Sequence, residues 1–348
     1  EASCPARSRL SDQPLHATPL DPKTRIALDV MGGDDAPACN LDGAFAAVEA
    51  GLAPARLLLV GDRVTIEAGL EERGGNPGFE LLHSEDVIGM EEKPAVALRS
   101  KPRSSIAVAT GAVKQGAAGA HVSMGNTGAV VGAATVGLKT LPGVRRPGIA
   151  VTIEFTGRPV TVLDMGANVV PKPEHLVQYG HMGAIYSRDL LGCYAPRVGL
   201  LNIGEEDSKG TDLLRDAHAQ LGDSGLDFVG NIEGGDLFKG TCDVVVTDGF
   251  TGNVALKLME GFAGFMLRMV HGELEKNGAA WGPEVLASLH KQVDYSEYGG
   301  ALLLGVNGVV VIGHGRSDAR AVANALDLAA RAIDADVNAH IVAGLEPV

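Results

Sequence analysis

The chain has 348 residues, 45% of them hydrophobic, and its formal net charge at pH 7 is -14. That length and hydrophobic content suffice for a large core, in one domain or in two closely packed ones, and they exclude a disordered chain. The acidic charge argues against nucleic acid as a partner and against electrostatic docking on anionic lipid.

The predicted elements begin after an N-terminal stretch. Residues 1–23 carry Ser, Pro, Asp and Arg without periodicity, which predicts a flexible extension, whereas residues 24–348 are predicted to form a single domain. Apolar and β-branched runs predict strands near 25–30, 56–61, 79–83, 120–123, 148–153, 159–163, 197–203, 226–230, 243–247 and 308–312. Helical spacing of apolar residues predicts helices near 37–51, 63–72, 103–116, 127–138, 173–189, 210–221, 252–275, 284–291 and 317–342.

This alternation of strands and helices predicts a three-layer α/β fold, in which helices cover both faces of a mostly parallel, Rossmann-like sheet. The pattern changes around Gly157, Arg158 and Pro159, which predict a hairpin between the strands at 148–153 and 159–163. The four cysteines lie far apart without C-x-x-C spacing, so we expect reduced cytoplasmic thiols and no metal site.

Glycines and short polar residues follow the carboxyl ends of several predicted strands. In an open α/β sheet this edge forms the crevice where ligands bind, and the helix N-termini there favour anions. Neither a Walker lysine pattern nor G-x-G-x-x-G occurs, so backbone N–H groups and short side chains would hold the ligand. The candidate anion-binding residues are Gly32, Gly33, Asp34, Gly125, Asn126, Thr127, Asp164, Asp248, Thr251 and Gly252. The alternative is that they only form turns and helix caps.

The segment 254–293 is predicted to form a protruding helical hairpin. Apolar residues recur at helical spacing from Leu258 to Val270, and the only tryptophan, Trp281, precedes a second helical stretch that contains Leu286. An apolar hairpin tip predicts contact with a second copy of the chain, or with a membrane through Trp281 and Leu286. Ordinary core packing is the alternative.

Eight blocks of sequence, in the same order along the chain, closely resemble the PlsX family of phosphate acyltransferases. They are residues 29–34, 125–129, 164–168, 172–179, 196–202, 247–253, 298–301 and 314–317. The resemblance extends from about residue 24 to residue 342. It departs from the family in the N-terminal extension, which has no counterpart, and at Met124, where a smaller residue is more usual.

The resemblance implies a reaction, a fold and partners. In the implied reaction, inorganic phosphate directly attacks the thioester of a long-chain fatty acyl group on acyl carrier protein. The acyl phosphate then feeds phospholipid synthesis through a downstream glycerol-phosphate acyltransferase. The implied fold is similar to those of isocitrate and isopropylmalate dehydrogenases and of phosphotransacetylase. The resemblance also implies a cytoplasmic homodimer that associates peripherally with the membrane.

Such a reaction requires no metal, cofactor or covalent nucleophile, because a thioester is already activated and thiolate is a fair leaving group. The candidate catalytic residues are Lys172, His175, Asn168 and Asn253. Lys172 could neutralise phosphate or the oxyanion, and His175, three residues further on the same helix face, could take a proton from phosphate or give one to the thiolate. The two asparagines are candidate donors to phosphate or to the oxyanion. The alternative is that His175 is a solvated histidine on the helix face and that the two asparagines only form turns.

Further candidates lie outside this group. His314 and Ser317 flank another helix start and could line the same phosphate-binding crevice. The carrier protein is acidic, so its docking requires a local basic patch, for which Arg99, Lys101 and Arg103 form the densest stretch. A solvated charged face is the alternative interpretation of these three residues.

Three other functions compete with the implied one. An NAD-dependent dehydrogenase on a similar fold would need an adenosine-binding fingerprint and usually an acidic metal cluster, and neither occurs in the sequence. A short-chain phosphate acetyltransferase is disfavoured by the apolar segment at 254–293, which suits a long acyl chain. A membrane-recruited scaffold would not explain so many polar loops at strand ends.

Overall fold

A computed structural model of the chain describes residues 21, 24–154, 158–276 and 299–345. Several predictions fall on other residues. The predicted extension, except residue 21, lies outside the described residues, as do the helix at 284–291, the hairpin tip, and the candidate membrane contacts Trp281 and Leu286.

The described residues form one large sheet and the helices that cover it. The strands are β1 (Ile26–Asp29), β2 (Leu57–Gly61), β3 (Glu80–His83), β4 (Ala120–Ser123), β5 (Gly148–Glu154), β6 (Pro159–Leu163), β7 (Arg197–Leu201), β8 (Asp227–Ile232), β9 (Val244–Val246), β10 (Ala301–Leu304) and β11 (Val309–Ile312). The helices are α1 (Ala38–Glu49), α2 (Arg63–Glu71), α3 (Pro94–Ser100), α4 (Ser105–Lys114), α5 (Thr127–Gly137), α6 (Pro173–Leu191), α7 (Asp212–Gly222), α8 (Gly249–Lys276), α9 (Ala319–Asp334) and α10 (Val337–Leu345). Short 3-10 helices span Pro54–Arg56 and Gly234–Phe238.

The strand order is β3-β2-β1-β4-β11-β10-β5-β6-β9-β7-β8. Neighbouring strands are parallel on both sides of the sheet, but the three pairings β11·β10, β10·β5 and β5·β6 in its middle are antiparallel. Three reversals give the two sides opposite strand directions. The carboxyl ends of β1, β4 and β11 therefore lie at one edge of the sheet, and those of β6, β9 and β7 lie at the opposite edge.

Two apolar layers hold the sheet between helices. One buried cluster packs α1, α6 and α9 against one face, through residues such as Leu41, Leu176 and Leu326. The other packs α4 and α5 against the second face, and Leu256 and Met259 of α8 lie against the same cluster. Because both faces are covered, most strands have side chains buried on both sides. The predicted α/β class with a mostly parallel sheet is confirmed.

Three elements differ from the sequence-based prediction. Strand β10 and helix α3 were not predicted, and the single helix predicted at 317–342 is two helices, α9 and α10. Asp336 lies between them with a φ of +48°, in the left-handed region, which interrupts the helical backbone. The antiparallel pairing of β5 with β6 confirms the predicted hairpin, although residues 155–157 of its turn lie outside the described residues. No helix in the described part of the chain is both long and apolar enough to cross a membrane.

Candidate active site

The loop after β6 is organised around the carboxylate of Asp164, which is fully buried. Its Oδ1 accepts hydrogen bonds from the backbone N–H groups of Ile149 at 2.9 Å, Gly166 at 3.0 Å and Ala167 at 2.9 Å. Its Oδ2 accepts from the Asn168 N–H at 2.7 Å. Burial raises the pKa of Asp164, and these N–H groups oppose that rise. The carboxylate that was predicted to bind an anion thus accepts hydrogen bonds from its own loop and from β5.

Glycines allow the start of α8 to pack directly on this loop. A Cβ on Gly249 would lie 2.7 Å from Asp164 Oδ2, and one on Gly252 would lie 2.1 Å from the Asp164 carbonyl oxygen. Gly166 has a φ of +134°, which favours glycine, and a Cβ there would lie 3.5 Å from the Asn253 Cβ. Asn253 is therefore held beside the 164–168 loop, and its side chain is exposed to solvent.

Asn168 joins three segments at this edge. Its side-chain nitrogen donates to the Pro147 carbonyl oxygen at 2.6 Å and lies 2.8 Å from the Tyr179 hydroxyl. Its own carbonyl oxygen accepts from the Gly249 N–H at 2.9 Å. The amide of Asn168 is thus engaged within the protein, which fits a positioning role better than direct donation to a ligand.

Lys172 and His175 lie at the start of α6, next to this loop. The Lys172 N–H donates to His175 Nδ1 at 3.1 Å, which closes the first turn of the helix. The pKa of His175 is lowered, first by partial burial and then by Arg146, Lys172 and Arg145, whereas Glu174 raises it. A neutral ring whose Nδ1 accepts must carry its proton on Nε2. The Lys172 side chain is exposed.

Asp248 and Thr251 cap α8. Asp248 Oδ1 accepts from the N–H groups of Phe250 at 3.0 Å and Thr251 at 2.9 Å, and its Oδ2 accepts from the Thr251 hydroxyl at 2.7 Å. These contacts are those of a helix cap, which is the alternative role predicted for this residue from the sequence.

A second cluster lies at the opposite edge, after β1, β4 and β11. Asp29 is fully buried, and its Oδ2 accepts from the Ser123 hydroxyl at 2.7 Å. The loops that carry Gly32 and Gly125 touch, because a Cβ on Gly32 would lie 2.8 Å from the Gly125 nitrogen. The Asp34 N–H donates to the Gly315 carbonyl oxygen at 2.7 Å. Three strand-end loops therefore converge here.

Asn126 holds a further loop against this cluster. Its side-chain nitrogen lies 2.9–3.2 Å from the carbonyl oxygens of Gly89, Met90 and Glu92, and its Oδ1 accepts from the Ala129 N–H at 3.0 Å as the N-cap of α5. Its donors are therefore used inside the protein. The next residue, Thr127, is exposed at the helix N-terminus.

Met124, the unusual residue of the 125–129 block, is buried against a glycine. A Cβ on Gly313 would lie 1.9 Å from the Met124 sulfur. The larger side chain fits here because Gly313 leaves room for it. Gly33, with a φ of +108°, lies against the Met124 Cβ.

His314 and Ser317 belong to this second cluster. The His314 N–H donates to the Ser317 hydroxyl at 3.2 Å, and His314 Nδ1 accepts from the Arg316 N–H at 3.1 Å. The pKa of His314 is lowered, first by burial and then by Lys257, with Glu260 opposing. His314 therefore lies within electrostatic reach of α8.

Helix α8 links the two clusters. Asn253, Lys257 and Glu260 are spaced four and three residues apart, so they share one face of the helix. Asn253 lies beside the first cluster, and Lys257 and Glu260, an ion pair at 2.9 Å, lie near His314 in the second. The structure thus divides the sequence-predicted site residues between two sheet edges and connects them through one helix face.

The basic stretch proposed for docking is partly engaged within the protein. Lys101 Nζ contacts Glu92 Oε1 at 2.5 Å and the Val87 carbonyl oxygen at 2.7 Å, and Arg103 forms an ion pair with Glu85. Arg99 is exposed.

Sequence reasoning missed residues that act through long-range contacts. Tyr179, fully buried in α6, contacts Asn168, and Ser123 contacts Asp29 across 94 positions. Lys257 and Glu260, which form an ion pair near His314, were not among the predicted site residues. A tyrosine four residues after His175, within the same block, was the one local signal. Within the described residues, no group of three or more His, Cys, Asp or Glu side chains could hold a metal ion.

Comparisons with known proteins agree on one family. A family model described as "Fatty acid synthesis protein" matches residues 24–340. A phosphate acyltransferase of Heliobacterium modesticaldum is 44% identical over 335 residues, which cover 93% of this chain and 99% of the relative. One of Elusimicrobium minutum is 44% identical over 328 residues, which cover 91% of this chain and 96% of the relative.

Solved structures share the fold at low sequence identity. A phosphotransacetylase from Streptococcus pyogenes aligns with a TM-score of 0.60 at 18% identity, covering 90% of this chain and 94% of the other. A phosphotransacetylase from Staphylococcus aureus aligns with a TM-score of 0.58 at 14% identity, covering 90% and 95%.

Proposed function

The chain belongs to the fatty acid synthesis protein family, whose members include the phosphate acyltransferases, and on this premise we propose that it transfers a long-chain fatty acyl group from acyl carrier protein to inorganic phosphate. The resemblance to the PlsX family is confirmed, and the chain is an acyltransferase. The observation that carries the finer proposal is the cluster at the ends of β6 and β9. There, a lysine and a histidine at a helix start adjoin a loop fixed by a buried carboxylate.

In the proposed step, an oxygen of hydrogen phosphate attacks the thioester carbonyl carbon, the carbon–sulfur bond breaks, and the leaving thiolate takes the proton that hydrogen phosphate loses. Positioning phosphate against the carbonyl can contribute roughly 7–11 kcal/mol, and a single oxyanion donor about 2.7–4 kcal/mol. Lys172 neutralises the phosphate or the oxyanion, and Asn253 donates a hydrogen bond to it. Asn168 positions the loop.

His175 is assigned to the leaving group. Its Nδ1 accepts from the Lys172 N–H, so the neutral ring carries its proton on Nε2 and donates a hydrogen bond from it to the developing thiolate, whereas the proton that the thiolate takes comes from hydrogen phosphate. Taking a proton from phosphate would require the opposite tautomer and the loss of this contact. The glycine-rich loops of the second cluster, with Thr127, His314 and Ser317, are proposed to hold the remainder of the substrates.

The pH dependence tests the role of His175. Protonation of the ring at Nδ1 would remove the acceptor of the Lys172 N–H and disturb the helix start. Because burial and nearby cations lower the pKa of His175, the neutral ring persists below the ordinary value of about 6.5, and kcat/KM should fall only at more acidic pH. Arg146→Gln removes a cation, which raises the pKa of His175 and moves the acid limb of the kcat/KM profile to higher pH. Glu174→Gln removes an anion and moves that limb to lower pH.

The kcat/KM profiles of both variants are compared with that of the unsubstituted protein in the same buffers. The titration of phosphate itself affects all three profiles equally and therefore cancels in the comparison. Arg158→Gln, outside this cluster, is the control and should leave the limb in place. Shifts of the two test variants in the same direction would contradict the assignment of this limb to His175.

Partners follow from the same proposal. The acidic carrier protein would dock through Arg99, with Lys101 and Arg103 beside it. Self-association is supported by a row of exposed apolar side chains along α8, at spacings of three and four residues: Phe250, Val254, Leu258, Phe262, Phe265 and Met269. Peripheral contact with the cytoplasmic membrane surface, and delivery of acyl phosphate to a glycerol-phosphate acyltransferase there, complete the proposed role.

The reaction is tested by phosphate-dependent release of free thiol from palmitoyl-carrier protein, with acyl phosphate identified by mass spectrometry. Acetyl-CoA and NAD serve as control substrates for the two competing enzyme classes. We expect release with palmitoyl-carrier protein that persists in EDTA. A strict requirement for magnesium, or thiol release without acyl phosphate, would contradict the proposed chemistry.

A further inference from the structure

A groove with a volume of about 620 Å³ lies between α3, α4 and α5, on the sheet face that also carries α8. Its volume falls within the roughly 300–1,000 Å³ of small-molecule sites. Its walls are small or apolar: Ala95 and Leu98 from α3, Ala107 and Gly111 from α4, and Gly132 and Ala133 from α5. Arg99 and Lys114, both exposed, also line it, at its rim.

One end of this groove adjoins the second strand-end cluster. Gly128, which lines the groove, directly follows Thr127 at the start of α5, and a Cβ on Gly128 would lie 2.6 Å from Pro94 Cγ. The other end is at Val136 and Gly137, and Val136 is 80% exposed there. Nine residues of α5 separate the two ends, or about 14 Å at ~1.5 Å per residue. The groove thus runs from the polar loops to solvent.

We propose that this groove holds the acyl chain of the substrate and of the acyl phosphate product, an inference that rests on the proposed function. Its length matches an extended chain of about eleven carbons, because a bond of ~1.5 Å in a zigzag chain advances only about 1.25 Å along the axis. A longer chain would leave the groove beside Val136. A helix of a docked protein is about 10–12 Å across with its side chains, which is too wide for this volume over this length. The chain enters at the polar end, beside the loop that carries Thr127, and its carboxyl carbon lies outside the groove, towards Asn253 on the face of α8 that links the two clusters.

Gly111 keeps the groove open. A Cβ built on Gly111 has nothing within 4 Å, so the space above it is empty, whereas a Cβ on Gly132 would lie 3.1 Å from Leu98 Cδ1. A long side chain at position 111 therefore enters the groove without a backbone clash. It also replaces glycine in a helix by a better helix former, so the fold is preserved.

Gly111→Met is the test, with Gly222→Met as a matched control. Gly222 is the last residue of α7, is exposed, and likewise has nothing within 4 Å of a built Cβ. kcat/KM is measured with carrier-bound chains from octanoyl to palmitoyl. Each buried methylene contributes roughly four-fold, so blocking two or more should lower the palmitoyl-to-octanoyl ratio at least ten-fold in Gly111→Met. The ratio should not change in Gly222→Met.

Binding of free palmitate, measured by calorimetry, provides a readout that does not require turnover. Weakened palmitate binding in Gly111→Met supports the groove even if no thioester is cleaved, in which case the proposed function alone fails. If Gly111→Met changes neither the palmitoyl-to-octanoyl ratio of kcat/KM nor the affinity for palmitate, the acyl groove is overturned. A further outcome would also overturn the acyl groove: kcat/KM falls equally with every chain length in Gly111→Met, Arg99→Glu reproduces that fall, and acyl-CoA substrates do not show it. The surface would then be assigned to docking of the carrier protein.

Discussion

Replacing Asp164 by alanine is expected to destabilise the protein by about 3–5 kcal/mol, since each buried donor left unsatisfied costs roughly 1–3 kcal/mol and water can satisfy some of them. Asp164 accepts from four backbone N–H groups, of Ile149, Gly166, Ala167 and Asn168. Alanine removes all four acceptor contacts at once. The free energy of unfolding is measured by urea denaturation at matched m-values.

Asp62→Ala is the control for this loss. Asp62 caps α2 by accepting from the Thr65 N–H at 2.9 Å and from the Thr65 hydroxyl at 2.6 Å, but it is close to solvent. Its removal should cost about 1 kcal/mol, as for other N-caps. An Asp164→Ala loss no larger than that of Asp62→Ala would show that the carboxylate does not organise the loop.

The second large effect is on catalysis. Lys172→Ala and Asn253→Ala should each lower kcat/KM by tens-fold or more, a loss of transition-state stabilisation of about 2 kcal/mol or greater. Lys172 supplies positive charge to an anionic transition state, and Asn253 supplies a donor beside the Gly166 turn. Both side chains are exposed, so the unfolding free energy should change little.

Lys209→Ala provides the matched lysine control. Lys209 is also exposed, and it lies 3.8 Å from Glu206 in the loop after β7. Its removal should leave kcat/KM within two-fold, at about 0.4 kcal/mol or less. Near-normal kcat/KM in both Lys172→Ala and Asn253→Ala would exclude the cluster after β6 and β9 from the reaction.

The sequence predicts local features of this fold more reliably than it predicts their neighbours in space. A β-branched run such as Val244–Val246 indicates a strand, and a cap such as Asp318 indicates the start of α9, each from only a few consecutive residues. β10 was missed because a four-residue apolar run, Ala301–Leu304, resembles a buried helix segment as much as a strand. Its antiparallel partners, β5 and β11, are about 150 and 10 residues away.

The same limit applies to the site. Residues 164–168 and 172–175 can be grouped from the sequence alone, because a loop and the helix start after it are close in sequence. The division of the candidates between two edges of the sheet was not predicted, since it depends on the three antiparallel pairings in the middle. The engagement of Asn126 with Gly89, Met90 and Glu92 likewise depends on contacts across more than 30 positions.

The face of α8 that joins the two clusters also constrains how the chain can change in length. Between Asn253 and Glu260 the helix advances by about 10 Å, at ~1.5 Å per residue, and completes nearly two turns. One inserted residue would rotate everything beyond it by about 100° and remove Lys257 and Glu260 from the side that faces His314. Helical phase thus makes this span intolerant of insertion, whereas substitutions on its opposite face leave the phase intact.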